Sequence, residues 1–143
     1  MKGYTHLAIG LGVGLAMKDT LGVWGVIITG FGSLLPDLDH PSSMLGRRIF
    51  GASILGLKHR GWMHSLVGLI IFAALFAAIN PKFVPGITLG YFLHLLADTL
   101  NPTGIAWFYP ISRKRLHIIG IPSGSPLEYL FVLWLVYTII EMS

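Results

Sequence analysis

Apolar residues fall into five blocks along this chain of 143 residues, and these blocks constrain the fold more than any other feature. Each block runs for roughly 14–18 residues, which approaches the length that an α-helix needs to cross a bilayer. Only 11% of the residues are charged and 54% are hydrophobic, whereas a soluble domain carries about 25% charged residues. The sequence therefore predicts an all-α fold, a polytopic membrane helix bundle.

The blocks predict about five spans within a single domain that covers residues 1–143. The first two blocks are short and rich in glycine, and three residues join them, so we expect a tight hairpin packed through small residues. At about 1.5 Å per residue, these two helices barely cross a core of about 30 Å, and a partly re-entrant path stays open. The predicted spans are residues 4–17, 21–35, 65–80, 84–100 and 126–142.

Basic residues divide unequally between the two sides of such a bundle. The side that holds the N-terminus and the two long loops carries eight Lys and Arg residues, and the other side carries two. The positive-inside rule therefore predicts a cytoplasmic N-terminus in a prokaryotic inner membrane. These residues explain the net charge of +4, and no basic stripe indicates a nucleic-acid partner. Residues 44–57 are predicted to form a segment that lies in the membrane interface.

Histidine and aspartate residues gather at one end of the predicted spans, the end that faces the cytoplasm in this topology. The chain has no cysteine, so a metal site would use nitrogen and oxygen ligands alone. Chance placement would scatter such residues over both sides. We therefore predict a metal site there, with His40 and His59 left open as further ligands. The predicted ligands are His6, Asp37, Asp39, His64, His94 and Asp98.

The fourth block gives the sharpest signal for this site. His94 and Asp98 are four residues apart, so a helix presents both on one face. An aspartate inside an apolar span costs about 2.5–3.5 kcal/mol on insertion scales, and a bound divalent cation would offset that cost. The alternative is a neutral hydrogen bond between the two side chains that packs one helix against another.

The loop between the second and third predicted spans, residues 36–64, supplies further candidates. Asp37 and Asp39 follow Pro36, and in an extended turn alternate residues would point the same way; helix capping is the alternative. Gly61 predicts a break that leaves His64 at the start of the third helix. Seven or eight candidates exceed the three protein ligands of a catalytic zinc. One or two divalent ions are therefore expected, with zinc favoured and manganese or iron also compatible.

These candidates lie in four motifs, which are THLAIG with His6, LLPDLDH with Asp37 and Asp39, HRGWMHSL with His59, Arg60 and His64, and GYFLHLLADTLNPTG with His94 and Asp98. In this order and combination, the motifs resemble the YdjM-like family of predicted membrane-bound metal-dependent hydrolases. The resemblance covers most of the chain before the last span. It implies a metal site at these residues and a hydrolytic activity.

The residues and the resemblance together predict a metal-dependent hydrolase that acts through a metal-activated water at the cytoplasmic headgroup level. Basic residues around the predicted site favour a phospholipid, or another lipid-linked phosphoester, as substrate. Asp39 is the expected general base, and Arg60 and His59 are the other catalytic candidates. Arg60, Lys58 and Arg47 would hold the anionic part of the substrate, because basic side chains donate to phosphate.

Three other functions stay open. A non-catalytic membrane module would use a structural metal or a polar network to fasten the helices. A metal or ion transporter would need polar residues along the whole path, whereas the candidates cluster at one end. A metalloprotease is disfavoured because no HExxH motif is present. The glycine-rich first helices also leave a homo-oligomer open.

Overall fold

The computed structural model of the chain describes residues 1–39, 43 and 61–142. Within these residues the regular secondary structure is helical, apart from one backbone bridge between Ile105 and Leu116. The all-α prediction is therefore confirmed for the described part of the chain. Its five α-helices are α1 (Gly3–Ala16), α2 (Lys18–Gly32), α3 (Leu66–Ile79), α4 (Val84–Thr99) and α5 (Pro126–Met142), and short 3-10 helices cover Leu35–Asp39, Trp62–His64 and Pro81–Phe83.

The lengths of these helices bear on the predicted number of spans. The helical segment Lys18–Asp39 has 22 residues and is long and apolar enough to cross a membrane. The apolar helix α1 has 14 residues, which rise about 21 Å against a hydrocarbon core of about 30 Å. Among the described residues one helical segment reaches the length of a span, so five spans are not confirmed. The predicted interfacial segment 44–57 lies outside the described residues.

The first two helices form the tight hairpin that the sequence predicts. Only Met17 separates α1 from α2. Gly22 interrupts α2 just after its first turn with a φ of 69°, a conformation that glycine adopts readily. The two helices also approach closely, since a Cβ added to Gly14 would lie 3.0 Å from the Cα of Val26. Small residues thus set the spacing of this hairpin.

A second close approach, between α2 and α4, positions the fourth-helix histidine. A Cβ added to Gly90 would lie 2.7 Å from the backbone nitrogen of Ser33, so a larger residue would push α4 away from the end of α2. His94 follows Gly90 by four residues and lies on the same face of α4. The contact at Gly90 therefore brings His94 directly against the C-terminal end of α2.

The 3-10 helix that carries His64 is fastened to α4 over a small apolar core. The Tyr91 hydroxyl donates a hydrogen bond to the Met63 carbonyl oxygen, and the Leu66 N–H donates to the Trp107 carbonyl at 2.9 Å. These bonds hold the start of α3 beside α4. The buried core beneath them contains Leu35, Ile87, Tyr91, Leu95 and Ile105.

Candidate metal centre

The structure brings all six predicted metal ligands into one cluster, although they come from four separate parts of the chain. Five of them are almost fully buried, with 2% or less of their surface exposed. Asp37 is the most open member, with 13% of its side chain exposed. The cluster comprises His6 on α1, Asp37 and Asp39 after α2, His64 before α3, and His94 and Asp98 on α4.

Asp37, His64 and His94 form a group of three in which each residue offers one ligand atom. The His64 Nε2 and His94 Nε2 atoms are 3.4 Å apart. The Asp37 Oδ1 atom lies 3.6 Å from His64 Nε2 and 3.9 Å from His94 Nε2. An ion with tetrahedral bonds of about 2.1 Å holds its ligand atoms about 3.4 Å apart, so this spacing suits one small divalent cation.

The hydrogen bond on the far side of His94 fixes its protonation. Its Nδ1 atom lies 2.7 Å from the Ser33 carbonyl oxygen, and because a carbonyl only accepts, Nδ1 must carry the proton. The Nε2 lone pair is then directed into the cluster. A histidine that donates its other N–H to an oxygen is the common arrangement at metal sites.

His64 has a carboxylate behind its ring, at ion-pair distance. The Asp39 Oδ2 atom lies 3.4 Å from His64 Nδ1, on the opposite side of the ring from Asp37. Burial lowers the pKa of His64, but the Asp37 and Asp39 carboxylates outweigh that effect and raise it to about 9. The cluster therefore stabilises positive charge at this position.

His6, His94 and Asp98 form a second group that shares His94 with the first. The His6 Nε2 atom is 3.3 Å from Asp98 Oδ1, and the His6 ring stacks on the His94 ring with centroids 3.6 Å apart. Neither ring nitrogen of His6 makes a hydrogen bond within the described residues. A buried imidazole in that state fits a site that is completed by a cation or by water.

Asp98 connects the two groups because its two oxygens face in different directions. Its Oδ1 accepts a hydrogen bond from the Met1 ammonium and lies beside His6. Its Oδ2 lies 3.8 Å from His64 Nε2 and 3.9 Å from His94 Nε2. Asp98 thus contributes negative charge to every histidine of the cluster.

The segment with the two aspartates differs from its prediction. Residues Leu35–Asp39 form a 3-10 helix rather than an extended turn, so alternate side chains point in different directions. Asp37 approaches the Nε2 side of His64, whereas Asp39 approaches the Nδ1 side. Neither group of three includes Asp39, which lies behind His64 rather than next to the shared ligand atoms.

Several predicted residues lie outside the described residues. These include the catalytic candidates His59 and Arg60 and the substrate-binding candidates Lys58 and Arg47. Their roles stay predictions. His40, which the sequence leaves open as a ligand, lies outside the described part as well.

The sequence analysis missed a further buried acid, Glu128 in the first turn of α5, which has 0% of its surface exposed. One carboxylate oxygen accepts from the Lys2 N–H at 2.7 Å and from the Thr5 hydroxyl at 2.6 Å. The other accepts from the Gly124 N–H at 2.5 Å. Glu128 thereby fixes the start of α1, and its partner Thr5 directly precedes His6. Its signal was an acid in an apolar block, the same signal that identified Asp98.

Comparison with known proteins identifies relatives along almost the whole chain. The model of the family described as YdjM inner membrane protein matches residues 1–142. Inner membrane protein YdjM of Escherichia coli strain K12 is 35% identical over 128 residues, which cover 77% of this chain and 65% of that protein. The Shigella flexneri protein of the same name gives the same values. The chain therefore spans just under two thirds of the length of these two relatives.

A more distant relative covers a larger share of both chains. The uncharacterized protein YvsG of Bacillus subtilis strain 168 is 28% identical over 140 residues, covering 91% of this chain and 86% of that protein. No solved structure matches the chain. The named relatives support a location in a bacterial inner membrane, and the family match covers far more than half of the sequence. This chain therefore belongs to the YdjM inner membrane protein family.

Proposed function

We propose that this protein is a membrane-embedded metal-dependent hydrolase that cleaves a phospholipid or another lipid-linked phosphoester at the cytoplasmic headgroup level. One observation carries the proposal: Asp37, His64 and His94 place three possible ligand atoms 3.4–3.9 Å from one another. Three protein ligands with a further open position are typical of catalytic zinc sites.

The cluster favours a single ion in the Asp37 group. His94 has only its Nε2 lone pair to give, so it serves one of the two groups at a time. The rings of His64 and His94 meet at 67°, which lets two in-plane lone pairs converge. The rings of His6 and His94 are nearly parallel, at 17°, so their lone pairs run side by side. We therefore assign the ion to Asp37, His64 and His94, with Asp98 beside them.

The remaining residues have roles that follow from their positions. A divalent ion held there would supply a water whose pKa is low enough for deprotonation near neutral pH. Asp39 orients His64 through its Nδ1 atom, so this geometry favours a positioning role over that of general base. His6 is the neighbouring imidazole that is left to take up a proton, with Asp98 next to its Nε2 atom. Because the Asp37 side chain is partly exposed, solvent can reach this side of the cluster.

The substrate class rests on the charges that flank the site in the sequence. Arg47, Lys58 and Arg60 fall between the segments that carry Asp37 and His64. Basic side chains donate to phosphate oxygens and stabilise charge that develops during hydrolysis. Since the chain is an inner membrane protein, a lipid-linked phosphoester is the anionic substrate that reaches this position. The positive-inside bias supports the cytoplasmic side.

A structural ion is the second candidate function, and the burial of the cluster favours it. His6, His64, His94 and Asp98 are each exposed by 2% or less, and they join α1, α4 and the segment before α3. An ion bound by such residues would fasten these helices together without any turnover. The same elements would then separate when the ion is removed.

Metal analysis and an activity assay test both candidates. We expect the purified full chain to contain one divalent ion, which His94→Ala removes and His117→Ala, a change at an exposed histidine, leaves in place. The loaded protein should hydrolyse a phosphodiester or phosphomonoester lipid in a panel that includes carboxyl esters. Loss of turnover in chelator with helicity intact would support catalysis. Loss of helicity in chelator without any turnover would support the structural ion, and a wild type that binds no ion would refute both.

A further inference from the structure

The loop between α4 and α5 carries two kinds of exposed side chain that the proposed site does not use. Arg113, Lys114 and Arg115 are consecutive and exposed. Large apolar side chains surround them, with Ile111 exposed by 92% and Ile118 by 72%. The sequence from 101 to 125 contains no Asp or Glu. This loop therefore has a net positive charge and an unusually apolar surface.

The backbone of this loop is held against the end of α4, which gives the exposed side chains a fixed base. Ile105 and Leu116 exchange two backbone hydrogen bonds, at 3.2 and 2.9 Å, and the Ile118 N–H donates to the Thr99 carbonyl at 3.0 Å. The first two bonds join two parts of the loop to each other, and the third joins the loop to Thr99, the residue after Asp98. The exposed isoleucines are thus displayed outward by a paired backbone.

We propose that residues 108–119, here called the basic loop, bind anionic phospholipid headgroups of the membrane that holds the protein. The consecutive basic residues complement phosphate charge, and the isoleucines would enter the boundary between headgroups and acyl chains. An acidic protein or a nucleic acid would satisfy the charge, but it offers no fluid apolar phase for side chains that are so exposed. A lipid surface satisfies both features at once.

The location of the basic loop connects this surface with the candidate metal centre. The basic loop lies between α4, which carries His94 and Asp98, and α5. Its Ile118 N–H donates to the carbonyl of Thr99, the residue after Asp98. Headgroups gathered on it would lie near that end of α4. The lipid contact does not depend on hydrolysis, because it rests on the exposed residues of the loop alone.

A single fluorescent label tests the contact, since the chain has no cysteine of its own. Ile111→Cys would carry an environment-sensitive dye in the full chain, reconstituted in nanodiscs of phosphatidylcholine with or without phosphatidylglycerol. We expect a blue shift of the dye emission when phosphatidylglycerol is present. The shift should disappear when the labelled protein also carries R113Q/K114Q/R115Q. It should likewise disappear at high salt in the labelled protein without those changes, because salt screens the attraction.

A matched label separates loop binding from general effects of the lipid. Lys82→Cys places the dye at an exposed position between α3 and α4, and its emission should not respond to the three glutamine substitutions. Water-like emission from the Ile111 position in both lipids would overturn the proposal and leave the surface to a protein partner. An equal blue shift in both lipids would also overturn it, because the contact would then ignore headgroup charge. The salt titration uses the Ile111→Cys protein alone and does not depend on the folding of the triple glutamine variant.

Discussion

Two buried carboxylates, Asp98 on α4 and Glu128 on α5, lie near the ends of apolar helices that the sequence marks in the same way. Both are removed from solvent, with exposures of 2% and 0%. Their partners differ in chemistry. Glu128 accepts hydrogen bonds from two backbone N–H groups and one hydroxyl, whereas Asp98 faces the Met1 ammonium and three imidazoles.

This difference separates a structural acid from one that belongs to a cation site. Neutral donors fixed by the backbone satisfy a carboxylate completely and hold the chain in place. Imidazoles with inward-facing nitrogens leave a position that a cation can occupy. An acid in an apolar helix therefore indicates a compensating partner, but the partner decides what the acid does. Matched changes from carboxylate to amide can test this distinction, taken in order of their expected effect on metal binding.

Of the two acids compared here, Asp98→Asn is expected to have the larger effect on metal binding. The amide keeps the size of the side chain but removes the negative charge that faces His6, His64 and His94. The affinity for the metal should therefore fall by more than about 100-fold, and the metal content with it. Elemental analysis after dialysis measures this, with circular dichroism to follow helicity. Unchanged metal content in a folded Asp98→Asn protein would contradict the assignment of Asp98 to the site.

A smaller loss is expected from Asp39→Asn, because Asp39 contacts His64 from behind. Removing a carboxylate that orients a metal-binding histidine costs about 10–100-fold in metal affinity. Competition with a chelator measures the dissociation constant, and Asp37→Asn provides the matched change at a direct ligand, with a larger loss expected. If Asp39→Asn removes the metal as completely as Asp37→Asn does, Asp39 is itself a ligand.

The pH dependence of metal binding gives a third, graded effect. The pKa of His64 is raised to about 9 because Asp37 and Asp39 outweigh its burial, so His64 is protonated at neutral pH in the metal-free protein. A ligand histidine must be neutral, and binding therefore releases that proton. Apparent affinity should fall about tenfold for each pH unit below about 9. Calorimetric titration at several pH values checks the slope, and a constant affinity between about pH 6 and pH 8 would contradict it.

The sequence predicted the membership of this cluster better than its geometry. His94 and Asp98 follow from helical spacing, because residues four apart share a face wherever a helix forms. The convergence with His6 and His64 follows from their common end of the apolar blocks. The roles of Asp37 and Asp39 could not be predicted, since they depend on whether five residues form a 3-10 helix or an extended turn.

Sequence patterns could not predict the number of spans or the role of Glu128, for a different reason. Apolar content indicates a membrane helix, but its observed length depends on where packing and loops end it, as in α1 and α3. In the sequence, Glu128 is an acid in an apolar block. Its hydrogen-bond donors Lys2 and Thr5 lie at the start of α1, more than 120 positions away. Such partners follow only from tertiary structure. Gly90, which sets the approach of α4 to α2, likewise carries no signal that distinguishes it from other glycines.

The smallest effect on metal binding is expected from Glu128→Gln, and this change completes the comparison with Asp98. The glutamine retains one accepting oxygen but turns an N–H group toward the Lys2 and Thr5 donors or toward Gly124. That leaves a buried donor unsatisfied and should lower the free energy of unfolding by about 1–3 kcal/mol. Thermal unfolding in detergent would measure the loss, and metal content should stay at the wild-type level. If Glu128→Gln instead lost its metal while remaining as stable as the wild type, Glu128 would belong to the cation site, and neutral hydrogen-bond partners would no longer distinguish a structural acid from a ligand in this fold.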